Sequence, residues 1–234
     1  MLASIQLAVA AFQRGEIEAI VFAPFNKQAM KLGGLLHEDE LHYFAQLFGN
    51  CSLASEINVC GSLWTARVTS HVPFKDIASL ITVDKICSAT SLVHRALVDA
   101  GITAPRIAVA ALNPHAGEGG LFGSEEIEII RPAVDEAKKA GIDASGPWPA
   151  DTLFVSATRG RFDGVVTMYH DQGQIALKLL GFDRGVTVQA GLPCPITTPA
   201  HGTAFDIVGT GTANAGAMKE AFALACRMAD RKRQ

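Results

Sequence analysis

Three histidines, His71, His115 and His170, each follow a run that reads as a strand. They stand 44 and 55 positions apart. Each gap holds one or more strand-helix units, so the three can converge at one end of a sheet, where ligands bind in open α/β folds. Neutral imidazoles plus water make a divalent metal site with open positions. Asp171, beside His170, and Asp151, closing the loop Gly146-Pro147-Trp148-Pro149-Ala150, are carboxylates that can ligate, orient a ligand or take a proton. Lys27 follows a strand end at Pro24-Phe25-Asn26 and is a candidate substrate or base residue, because a desolvated ammonium loses its proton more easily. On local pattern alone the blander readings stay open: a surface histidine on an ordinary turn, and a lysine that snorkels to water.

The elements that must position these groups alternate along the chain. Helices are expected at residues 3–14, from 27 to 32, 36–45, 84–100, 125–140, 174–180 and 214–229, with a turn of helix at 76–81. Strands are expected at 18–23, 56–60, 64–70, 107–112, 163–169 and 186–189. Residues 146–151 read as a turn-rich loop. Ser124-Glu125-Glu126 reads as a helix start with acidic residues favoured by the dipole. The acidic stretch from His37 to Glu40 reads as a solvated helix start. Glu40 and His42, two residues apart, cannot share a helix face, and no H-E-x-x-H zinc motif is present. The alternation predicts an α/β class with helices on both faces of the sheet.

Composition narrows the function classes. The chain has 234 residues, 49% hydrophobic and 18% charged, with a net charge of -3. No basic surface argues for nucleic acid or an anionic membrane, and no apolar run approaches the roughly 18 residues of a membrane helix. Met1 to Ala10 reads as an amphipathic helix without a basic leader region. The five cysteines lack C-x-x-C spacing and fit reduced, cytoplasmic thiols. No G-x-G-x-x-G follows a strand.

Asn113-Pro114-His115-Ala116-Gly117-Glu118-Gly119-Gly120, Pro149-Ala150-Asp151-Thr152-Leu153-Phe154, Met168-Tyr169-His170-Asp171-Gln172-Gly173 and His201-Gly202-Thr203-Ala204 together resemble the 4-hydroxythreonine-4-phosphate dehydrogenase family of vitamin B6 synthesis. Val21 to Lys27 and Ser70 to Ile77 match it too, and His201 to Asn214 is similar to the nucleotide loop of isopropylmalate and isocitrate dehydrogenases. The resemblance implies their fold: two α/β/α subdomains with a cleft, residues 1–35 plus 185–234 on the cofactor side and 36–184 on the metal, substrate and dimerisation side. It implies a cytoplasmic homodimer with its active site near the subunit interface. It implies a divalent metal (Zn, Mg, Mn or Co) held by His71, His115 and His170, and substrate contact from Lys178. It implies NAD bound by His201, Gly202, Ala204, Asp206 and Asn214, with Asp206 disfavouring the 2'-phosphate of NADP. Lys178, Lys27, Asp151 and Asp171 are the unranked candidates for moving protons in an oxidation followed by decarboxylation.

Three departures bear on substrate. Asp39-Glu40-Leu41-His42 stands where the family carries Gly-His-Thr-Glu, so contacts from Glu40 and His42 would replace it. Thr187 stands for an asparagine. Ile196 stands for an arginine, which removes a charge-assisted contact to phosphate. The family also opens with a further segment, including Gly-Asp-Pro-x-Gly-Ile-Gly-Pro-Glu, that this chain lacks. Two alternatives accompany the dehydrogenase reading: a paralogue acting on an unphosphorylated hydroxy acid or carboxylated dihydrodiol, and an inactive fragment that binds only metal or a partner.

Overall fold

The chain is described by a computed structural model covering residues 1–181 and 183–232; Arg233 of the expected basic tail lies outside it. Contacts divide the chain into two compact units, 1–58 with 181–234, and 59–180. Residues 36–58 thus belong with the first unit, whereas the family resemblance grouped them with the second.

In the first unit, α1 (Leu2–Gln13) buries Ile5 and Val9 one turn apart. The strands β1 (Ile20–Val21), β7 (Val186–Ala190) and β8 (Ile196–Pro199) are ordered β1-β8-β7, with β1 parallel and β7 antiparallel to β8. β8 was not foreseen, because Ile196-Thr197-Thr198-Pro199 is short, polar and ends in proline. Ile196 is fully buried beside Phe22, Met30, Leu41 and Phe44. Its side chain packs in the core instead of facing a ligand, which corrects its expected substrate role. The helices are α2 (Lys27–Leu32), α3 (Glu40–Leu47) and α9 (Gly216–Lys232). α3 begins four residues later than expected, and its start is not solvated: Asp39 and Glu40 are 7% and 8% exposed. β2 (Ser55–Cys60) is the strand on which the division between units falls.

In the second unit, β3 (Leu63–Arg67), β4 (Ile107–Ala110), β5 (Ala144–Trp148) and β6 (Gly164–Thr167) form a parallel array ordered β3-β6-β4-β5. Alternation sends Ala108, Ala110 and Val165 against Leu153 and Ala157 of α7 (Ala150–Thr158) and Leu177 of α8 (His170–Gly181). Gly164, one residue out of phase, faces Val93 and Leu97 of α5 (Val83–Asp99). The short α4 (Ile77–Leu80) precedes α5, and a π-helical turn at Glu126–Ile130 leads into α6 (Arg131–Lys139). The helices cover both faces, as expected of a parallel sheet.

β5 corrects the expected loop at 146–151. Gly146 and Pro147 lie within the strand at an irregularity in its register with β4. A Cβ on Gly146 would collide with the Val109 carbonyl, so glycine marks a close strand approach here, not a turn.

Arg106 and Asp163 tie the starts of β4 and β6. The guanidinium donates to both carboxylate oxygens at 3.0 and 2.9 Å, and the Arg106 backbone N–H adds a bond of 2.9 Å. These donors hold the Asp163 carboxyl below its ordinary range despite partial burial. A carboxyl lowered on folding adds stability above its unfolded pKa and loses it as pH falls through the folded value. Asp163→Asn is therefore expected to cost about 1 kcal/mol at pH 7 after solvent screening. Urea unfolding should show the gap between variant and parent closing in acid; an unchanged gap would count against this.

The cysteines are free. Burial pushes the Cys194 thiol up to about 12, which makes it a packing group. Among the described residues no helix is long and apolar enough to cross a membrane.

Candidate functional site

Because β3, β6 and β4 run parallel, the segments leaving their carboxyl ends emerge on one edge of the second unit. Those segments carry the three histidines. Pairing continues past the strands: Val68 N–H donates to Thr167 O at 2.9 Å, and Thr69 bonds Met168 O through its N–H at 3.1 Å and its hydroxyl at 2.8 Å. This fastens the segment leading to His71 against the one leading to His170.

The two imidazoles meet. Their ring centroids are 5.7 Å apart, at 42°. Both line a groove of about 700 Å³ with Ser70, Pro73, Tyr169 and Asp171. His170 Nδ1 lies 2.7 Å from Asp171 Oδ1, so the carboxylate orients the ring. His170 opens the first turn of α8, which starts four residues earlier than expected. Lys178 is exposed two turns along the same helix, on the face of Asp171.

His115 lines a neighbouring groove of about 580 Å³ with Asp151, Phe74, Tyr169, Gln172 and Glu125. Phe74 and Tyr169, edge to face at 5.8 Å, border both grooves. His115 is largely exposed; it lies 3.4 Å from Glu118 and packs its ring edge to face with Phe122. Among the described residues no group of three His, Cys, Asp or Glu side chains gathers as a metal ion requires. A catalytic zinc takes three protein ligands. His71 and His170 are thus the two of the three histidines whose rings come together, and His115 lines the neighbouring groove.

Two residues that position the site went unrecognised in the sequence. Gln172 accepts the Met168 N–H at 2.7 Å and donates to Ala111 O at 2.8 Å, joining the ends of β6 and β4. Glu126 is 1% exposed and accepts the N–H groups of Leu112 and Asn113 at 2.8 and 2.7 Å. The helix does begin here, as expected, but this carboxylate turns inward onto the backbone of the neighbouring loop. The chain it holds is unusual: residues 115–119 all have positive φ, including His115, Ala116 and Glu118. Left-handed backbone costs a residue with a Cβ about 1 kcal/mol. Gly117 is required there, since a Cβ would meet Glu126 Oε2 at 2.7 Å.

The remaining candidates lie in the first unit. Lys27 is the first helical residue after Asn26, whose side chain accepts Ala29 N–H at 2.8 Å. Thr187 is buried and its hydroxyl accepts from Asn58 at 3.0 Å. The segment from His201 to Asn214 is largely exposed, with Gly202, Ala204, Asp206 and Asn214 at its surface. Ala204 takes a left-handed conformation before the short turn Phe205–Ile207. Asn214 accepts the Gly216 N–H at 2.8 Å just ahead of α9. An exposed carboxylate on a glycine-bearing loop beside a helix start suits a nucleotide ribose.

The profile of the family described as pyridoxal phosphate biosynthetic protein PdxA matches residues 1–225. A Pseudomonas aeruginosa relative, provisionally named 4-hydroxythreonine-4-phosphate dehydrogenase 2, is 51% identical over 99% of this chain and 69% of its own length. The crystal structure of 4-hydroxythreonine-4-phosphate dehydrogenase from Klebsiella pneumoniae superposes with a TM-score of 0.86 at 39% identity, covering 97% of this chain and 69% of that one. Terephthalate 1,2-cis-dihydrodiol dehydrogenase from Burkholderia xenovorans gives a TM-score of 0.74 at 28% identity, covering 97% and 72%. The chain thus spans about two thirds of the length of these relatives.

Proposed function

We propose, from the premise that this chain belongs to the PdxA family, whose relatives are named as dehydrogenases, that it is an NAD-linked oxidoreductase that oxidises and decarboxylates a β-hydroxy acid at a divalent cation. The observation that carries this reading is the pairing of His71 with His170, ring to ring, with Asp171 behind the second imidazole. His71 and His170 of one chain would hold the cation, with His115 of a second copy as the third donor. A bound cation would polarise a substrate hydroxyl, and an oxidised nicotinamide would accept the hydride. The chain's own groups do the rest. Asp171 keeps the His170 ring turned outward. Asp151 and Lys178 stand on the same unit to bind substrate and carry protons. Asp206 would take the ribose hydroxyls and so favour NAD over NADP. The first unit then serves the cofactor and the second the metal, the substrate and the dimer, in the cytoplasm.

Two substrate readings remain in play. Family membership favours 4-hydroxythreonine-4-phosphate. A buried Ile196 in place of a phosphate-pairing arginine favours an unphosphorylated hydroxy acid or a carboxylated dihydrodiol, and the dihydrodiol dehydrogenase likeness supports the latter. The test is NADH formation across acids with and without phosphate, each with Zn, Mg, Mn or Co. Metal-dependent turnover is expected. Mixing His71→Ala with His115→Ala chains should restore part of it, because one of the two sites in each mixed dimer is intact. Metal binding without turnover of any acid would leave only the inactive-fragment reading.

A further inference from the structure

The two segments that bring His71 and His170 together carry a second pair of rings. Phe74 stands three residues after His71, and Tyr169 directly before His170. Their rings meet edge to face, 5.8 Å apart at 85°. The bonds from Thr69 to Met168 fasten the two segments just ahead of both pairs. The aromatic pair therefore keeps a set place beside the imidazoles. Phe74, Ile77 and Tyr169 line both the groove of His71 and His170 and the neighbouring groove of His115 and Asp151. Phe74 is 78% exposed, although its ring is anchored on Tyr169. A large apolar ring held at the border of two grooves offers its face to what fills them.

The charge of the grooves points the same way. Among the described residues neither groove is lined by a lysine or an arginine. The acidic side chains that line them are Asp171, Asp151 and Glu125. Asp171 is engaged by His170, and Glu125 accepts from the Asn113 amide at 2.7 Å. A phosphate is recognised by arginine or lysine, and here it would meet carboxylates of its own sign. Ala78, Leu112, Pro114 and Ala150 add apolar surface to the second groove. Asp151, in the first turn of α7, can accept a substrate hydroxyl there.

We propose that Phe74, propped by Tyr169, is a specificity-determining residue of the dehydrogenase reaction, and that the acid it selects carries an uncharged ring in place of a phosphate. The hydroxyl to be oxidised lies at the His71–His170 end, and the ring packs on Phe74. This inference rests on the dehydrogenase reading and chooses between its two substrate classes.

The test compares three β-hydroxy acids that differ only beyond the hydroxyl carbon: 3-hydroxybutanoate, 3-hydroxy-3-phenylpropanoate and 3-hydroxy-4-phosphobutanoate. Binding to the metal-loaded protein is measured by titration calorimetry without NAD, so the readout does not depend on turnover. The phenyl acid should bind at least about 10-fold more tightly than the methyl acid, because it buries several more carbons. The phospho acid should bind no more tightly than the methyl acid. Phe74→Ala should erase the phenyl advantage, and the exposure of Phe74 makes unfolding by this change unexpected. Phe74→Lys puts an ammonium on the wall and should reverse the order in favour of the phospho acid. A parent that prefers the phospho acid, or a Phe74→Ala protein that keeps the phenyl advantage, overturns the proposal and leaves the dehydrogenase reading intact. A Phe74→Ala protein that falls to single chains in light scattering with its acid preference unchanged also overturns it, and assigns the ring to contact with a second copy. A parent with the expected binding order that reduces NAD with no acid overturns the dehydrogenase reading, and the claim that the bound acid is a substrate falls with it.

Discussion

His170→Ala is expected to lose the metal and to lower kcat/KM by at least about 1,000-fold, since a catalytic cation supplies several kcal/mol of charge stabilisation and each 1.36 kcal/mol is tenfold in rate. Removing one ring of the His71–His170 pair leaves a single imidazole from that chain. One imidazole and one donor from a second copy do not retain a catalytic cation. Asp171→Asn should be milder. The ring remains, but the oxygen 2.7 Å from Nδ1 loses its charge, and such outer partners are worth about 10- to 100-fold. Metal content per chain and kcat/KM, measured on the same preparations, should fall together and in that order. A His170→Ala protein with full metal and parental turnover would sink the site. If metal content falls while turnover holds, the histidine pair is real and the cation is not catalytic.

How far this site was legible in the sequence depended on whether a residue's partner lay close in the chain. β3, β4 and β6 could be read because each is a short, largely apolar run, and because a parallel array places every following loop on one edge. That is why His71, His115 and His170 were expected at one end of the sheet; the rings of the first and last meet, and His115 lines the neighbouring groove. Other features carry signals that mean two things. An acidic pair at a helix start reads the same whether it faces water or turns inward, so Glu126 was taken for a dipole partner when it is a buried anchor. Gly146-Pro147 reads as a turn, yet the glycine is there because a neighbouring strand comes too close for a Cβ. Ile196 was seen as a lost arginine, but whether an apolar side chain lines a pocket or fills a core depends on the strands beside it. Asp39 caps α3 and lies 2.7 Å from His42 Nδ1, a pair that escaped for a simpler reason. The spacing considered was from Glu40, within the helix, and the true partner is the cap residue one position earlier.

Glu126 carries the second large expected effect. Glu126→Ala is expected to destabilise the protein by about 3–5 kcal/mol, because it strands two buried backbone donors at roughly 1–3 kcal/mol each and opens a void. Those donors, Leu112 and Asn113 N–H, stand immediately before the left-handed stretch that begins at His115. Left-handed backbone at His115, Ala116 and Glu118 is unfavourable by itself and persists only where the surroundings enforce it. Without the carboxylate the loop should relax toward ordinary backbone and His115 should leave its groove. For a chain of this size the loss corresponds to a drop in Tm of about 10 °C. Glu126→Gln keeps an oxygen for the two N–H groups, but it turns an amide toward the Asn113 side-chain nitrogen, which itself donates to Glu126 Oε2 at 3.0 Å. Its cost should be near a third of the alanine cost, so it remains readable if the alanine variant does not fold. Gly117→Ala approaches the same contact from the other side, pressing a methyl group on Oε2 at a residue with φ of +77°. Calorimetry on the three variants should rank alanine at 126 as the most damaging. Equal, small shifts of under about 2 °C for all three would mean that the loop holds its shape without this carboxylate, and that the strain at His115 is relieved elsewhere.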